Sequence, residues 1–182
     1  MESGLPREKI LEALKRLSDC LKRDGIQGEI CLLGGTAMVL AFKARVATKD
    51  VDAIFHPTQS IRAAAREVQE ELALPDNWLN DGAKGFISTQ HEVNDQDLPQ
   101  FENLRVTAPT AEYMLAMKCM ASRIPGQPGD HGDVDDIKFL VKQLRLGTVE
   151  AVNSVVEKYY PAAQIPIRAK YLIEDVIAEL NR

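Results

Sequence analysis

The feature that most limits how this chain can fold is a pair of aspartates inside an apolar run. Asp50 and Asp52 stand one residue apart in "KDVDAIF", downstream of Gly34 and Gly35, which close the apolar stretch "EICLLGG". Alternate residues of a strand share a face, so "KDVDAIF" read as a strand puts both carboxylates on one side. Carboxylates that close raise each other's pKa, and burying them is costly unless a cation answers them. Such a pair suits a hard divalent ion, above all Mg²⁺ with its coordination completed by substrate phosphates. The glycines complement the acids. They let backbone N–H groups approach a ligand, and the helix expected after them, "TAMVLAFKA", offers a positive dipole end. Thr36 can cap that helix or bond a phosphate oxygen. A lone Asp-x-Asp or Gly-Gly is common in solvated turns. Strand, Gly-Gly, helix and then an apolar strand bearing Asp-x-Asp is a much narrower pattern.

The rest of the chain supplies a scaffold. Ile10, Leu14, Leu17 and Leu21 recur at helical spacing over residues 7–23. "EICLLG" reads as a buried strand, "KDVDAIF" as a second, and "FENLRVT" as a third. Ser60 is the expected N-cap of the helix "IRAAAREVQEELAL". "WLNDGAKGFI" reads as a short helix or turn and "HEVNDQDLPQ" as a polar loop. From "APTAEYMLAMKCMASR", entered through Pro109 and Thr110, the pattern is helical to the end, interrupted by the loop "IPGQPGDHG". The expectation is an α/β (α+β) fold in two parts. Residues 1–107 form a small mixed, twisted sheet with flanking helices, and residues 108–182 a C-terminal helical lobe closing a cleft.

Composition narrows the function. With 182 residues, 45% hydrophobic and 27% charged, the chain has the make-up of an ordinary globular protein with a real core. A net charge of −5 argues against broad nucleic-acid binding. Cys20, Cys31 and Cys119 lack metal-ligand spacing and read as buried, reduced thiols of a cytoplasmic protein. No signal peptide and no membrane-length apolar run is expected.

"LLGGTAM" followed by "TKDVDAIF" resembles the signature of the nucleotidyltransferase superfamily that includes DNA polymerase beta. It is most similar to its minimal bacterial branch, the abortive-infection-type nucleotidyltransferases. "LPDNWLND", "YMLAMKCMASR" and "DVDDIKFL" follow in the same order, so the likeness spans roughly residues 30–145. The resemblance implies Asp50 and Asp52 as ligands of two Mg²⁺ ions, and Gly34, Gly35 and Thr36 as holders of an NTP triphosphate. An acceptor hydroxyl, on RNA, protein or a small molecule, would attack the α-phosphate and release pyrophosphate. A toxin–antitoxin or phage-defence role with a small protein partner belongs to the same expectation.

The family also presents a third carboxylate on a neighbouring strand, where this chain has Arg105; Glu102 is the nearest substitute. That departure keeps open a second reading, an inactive nucleotide-binding or protein-interaction module. Lys118 has two readings as well: a stem that packs while its amine reaches water, or, as the resemblance implies, a contact to the triphosphate assisted by Arg123. Asp133 and Asp136 are either helix-start acids or, by resemblance, part of the active-site wall. Trp78 reads as a packing anchor, Asp81 and Lys84 as pocket rim, and His56, His91 and His131 as surface residues.

Overall fold

A computed structural model describes residues 4–122 and 132–182. It is a mixed α/β fold, 55% helical and 15% strand. In chain order the elements are β1 (Leu5–Pro6), α1 (Arg7–Arg23), β2 (Gly28–Leu32), α2 (Gly34–Leu40), β3 (Ala47–Thr48), β4 (Val51–His56) and α3 (Thr58–Leu72). There follow β5 (Leu79–Asn80), β6 (Val93–Asn94), β7 (Leu104–Pro109), α4 (Ala111–Ala121), α5 (Asp133–Gln143), α6 (Val149–Tyr159) and α7 (Ile167–Leu180).

The main sheet has five strands in the order β5-β4-β2-β7-β6. β2 runs antiparallel to β4 and parallel to β7, and β4 is parallel to β5. β1 and β3 pair separately as a small antiparallel sheet. Cross-strand register sorts the residues onto two faces. Ile30, Leu32, Val51, Ala53, Leu104, Val106 and Ala108 share one face, and all are buried. α1 and α3 cover it, with Leu21 and Ile61 meeting over Gly28. Cys31, Asp52, Ile54, Arg105 and Thr107 lie on the opposite face. Thus the apolar pattern of "KDVDAIF" buries alternate residues and leaves Asp52 on the side away from the two helices.

Several boundaries differ from the sequence reading. α2 begins with the glycines themselves and stops at Leu40, so it is only seven residues long. α3 starts at Thr58 with Pro57 in the capping position, ahead of Ser60. β4 starts at Val51, which leaves Asp50 in the bend before the strand. The short strands β1, β3, β5 and β6 carry too few residues for a periodicity to mark them.

Backbone contacts divide the chain into two compact units. One holds the residues through Gly85 together with Val93–Ala108; the other holds Phe86–Glu92 and the chain from Pro109 onward. The second unit is helical and centres on α4, whose residues Tyr113–Cys119 are all buried. Thr110 caps α4, its side chain accepting from the Tyr113 N–H. α5, α6 and α7 pack around that helix.

Candidate functional site

The glycines and the aspartates form one piece of structure. Gly34 has φ +51°, a left-handed conformation that suits a residue without a Cβ. A Cβ built there would stand 2.7 Å from Asp52 Oδ2, so the carboxylate occupies the space a side chain would need. At Gly35 the same space is taken by the Thr48 hydroxyl, with Arg45 Nη1 at 3.6 Å. The Leu33 N–H donates to the Asp52 carbonyl at 2.8 Å, tying the turn to β4. Thr36 is fully buried and its hydroxyl donates to the Asp50 carbonyl at 3.0 Å. That corrects the reading of Thr36 as a side-chain cap: no side-chain cap bond is made on α2. Its bond holds the bend that presents Asp50. Asp50 and Asp52 are both half-buried.

The third acidic position is not filled from β7. Arg105 pairs across the sheet with Glu29 and thus stands near the His56 end of β4, far along the strand from Asp52. Its guanidinium lies 3.7 Å from Glu29 and 3.5 Å from Asp95. Glu102 is exposed and bonded to Lys22 at 2.6 Å. On Asp52's face β7 carries Thr107 beyond Arg105, and the Thr107 hydroxyl donates to the Ile30 carbonyl. Among the described residues no group of three or more His, Cys, Asp or Glu side chains is placed to hold a metal ion. Two carboxylates and backbone oxygens are hard donors that fit Mg²⁺, with water and phosphate left to complete the shell.

Lys118, Asp133 and Asp136 make a second cluster, in the helical unit. Lys118 is 7% exposed, and its amine lies 2.8 Å from Asp133 Oδ1 and 2.7 Å from Asp136 Oδ2. Asp136 is 2% exposed. The amine therefore does not reach water, as the packing reading had it; it joins α4 to the first turn of α5. Gly132 occupies the N-cap of α5, and the two acids lie in its first turn. The helical spacing of Asp133, Asp136 and Ile137 put Asp136 on the inward side, a signal that the acid-rich composition obscured. Arg123 and His131 lie outside the described residues.

Trp78 is buried, and its indole N–H donates to the Ala65 carbonyl at 3.0 Å, as a packing anchor should. Asp81 takes bonds from Arg62 at 3.0 Å and Lys84 at 2.9 Å. His56 and His91 are exposed. The three thiols are free and buried. Burial pushes Cys119 up to about 12 and raises Cys31 as well, so neither serves as a ready nucleophile. No helix among the described residues is long and apolar enough to cross a membrane.

Comparison with family models, curated proteins and solved structures finds no match to this chain.

Proposed function

We propose that the chain is a Mg²⁺-dependent nucleotidyltransferase that moves a nucleoside monophosphate from an NTP to a hydroxyl acceptor. The observation that carries the proposal is the fit of the Asp52 carboxylate into the space left by Gly34. A turn able to approach phosphates closely and a carboxylate able to hold a cation are thereby adjacent. Asp50, set in the preceding bend by Thr36, supplies the second carboxylate. In the proposed reaction the acceptor oxygen bonds to the α-phosphorus, the bond to the bridging oxygen breaks, and pyrophosphate leaves. The proton of the acceptor passes to solvent. Mg²⁺, when bound, neutralises the phosphates and the leaving group. The backbone at Gly34 and Gly35 binds and orients the triphosphate, and Asp50 and Asp52 fix the ion against it. Lys118 and Asp133, bonded to each other, have a structural part in this scheme.

The acceptor is an RNA end, a protein hydroxyl or a small molecule; the net charge of −5 disfavours a long polynucleotide. A cytoplasmic setting accords with three free thiols, and a toxin–antitoxin or phage-defence role with a small protein partner accompanies the proposal. One observation favours a second reading, a nucleotide-binding module without catalysis: Thr107 and Arg105 stand on the sheet face where a third carboxylate would be sought.

Thermal melts with each NTP and Mg²⁺ test the first step. Ligand linkage raises wild-type stability by about 2.7 kcal/mol at a hundredfold excess over Kd, and Asp52→Asn loses most of that gain. Absence of a metal-dependent shift with all four NTPs removes the nucleotide reading. A shift without transfer of labelled nucleotide to RNA, protein or small-molecule pools selects the non-catalytic module.

A further inference from the structure

On the side of the sheet that α3 covers, the first unit has a pocket of about 300 Å³ between α3 and the Asn77–Asp81 stretch, whose Asn80 is the β5 residue paired with Asp52. Arg62 and Arg66 are one helical turn apart on α3 and both line the pocket. Arg62 is answered by Asp81, which also takes Lys84. Arg66 has no ion-pair partner among the described residues. Its neighbours on α1 are treated differently: Arg16 is held by Glu71 and Asp19, and Arg23 by Glu67 and Asp24. Where Arg16 and Arg23 meet carboxylates, Arg66 meets a cavity.

The polar groups around it are donors in surplus. Asn77, held at φ +56°, adds a side-chain amide to the wall. The one carboxylate in the wall, Asp81, is already shared by two cations. Two guanidinium forks and a donor amide around a cavity of this size suit a tetrahedral oxyanion carried on a small organic group. We infer that this pocket binds a phosphate monoester, at a site separate from the Asp50–Asp52 pair.

The site has its own reporter, because Trp78 in its wall is the chain's single tryptophan. The experiment titrates full-length protein, free of divalent metal, with glycerol 3-phosphate and separately with inorganic phosphate at constant ionic strength. Trp78 fluorescence and the amide resonance of Asn77 are read together. Saturable changes are expected, at least tenfold weaker in Arg66→Gln and unchanged in Asp52→Asn. Tighter binding of the ester identifies an organic phosphate as the occupant; equal or tighter binding of inorganic phosphate identifies the free ion. Silence of both readouts in wild type overturns the inference, as does equal affinity in Arg66→Gln. Loss of binding in Asp52→Asn also overturns it, since the anion would then sit at the aspartate pair. Arg66 is exposed, so the variant leaves the core untouched.

Discussion

Gly34 shows at the scale of one residue how a conformational choice becomes a chemical one. Its left-handed φ would be tolerated by few other residues, and its missing Cβ leaves room for Asp52 Oδ2. Gly34→Ala therefore meets two penalties: backbone strain and displacement of a carboxylate. The expected loss of stability is about 1–3 kcal/mol, read from urea unfolding, and any Mg²⁺ response should fall with it. A variant as stable as wild type would show that the turn relaxes freely and that Gly34 does not position Asp52. The glycine and aspartate pattern itself was visible in the sequence because both residue types are unusual inside apolar runs. The role of Thr36 was not. A hydroxyl beside two glycines looks the same whether it faces a ligand or, as here, the Asp50 carbonyl.

Among the elements, α4 was legible as a helix but not as the centre of its unit, since a helix that is apolar nearly all round carries no face to read. Lys118 in its midst is the consequence. With its amine enclosed by Asp133 and Asp136, Lys118→Ala leaves a buried carboxylate without its cation, a change that costs about 3–5 kcal/mol. Calorimetry on the variant should show that loss without any nucleotide present. Little change in the melting temperature would mean that the cluster is hydrated and the amine dispensable to the fold. Asp136→Asn should lose less, because Lys118 keeps Asp133 as its counter-charge and no buried charge is stranded. The three longest strands were found from their apolar runs, but their ends were not: Asp50 falls outside β4 because the backbone bends there, and pairing alone decides such a boundary. Strands of two residues, such as β5 and β6, have no period to detect.

Across the whole molecule, the segment Phe86–Glu92 belongs with helices that lie far later in the chain. The Ser88 N–H donates to the Tyr113 hydroxyl at 2.9 Å, the Ser88 hydroxyl to the Tyr159 carbonyl, and the Tyr160 hydroxyl to the Phe86 carbonyl. Glu92 accepts from the Tyr159 hydroxyl at 2.7 Å and pairs with Lys158 at 3.1 Å. The Tyr159 hydrogen bond, and then Lys158, hold the Glu92 carboxyl below its ordinary 4.5. A depressed carboxylate stabilises the fold above its unfolded pKa and ceases to do so as pH falls through its folded value. Wild type should therefore exceed Glu92→Gln in stability at neutral pH, with the difference fading in acid below about 4.5. A difference that is flat with pH would assign the contribution to packing instead of charge. This division of the chain also has a consequence in time. A ribosome adds about 5–20 residues per second, so the roughly fifty residues from Ala108 to Tyr159 take several seconds to appear. The first unit is complete in sequence once Ala108 has emerged, whereas Phe86–Glu92 still waits for partners not yet synthesised. For that interval its backbone donors and acceptors are met by water in place of Tyr113 and Tyr159, so this seven-residue segment is the last part of the early chain to find its native partners.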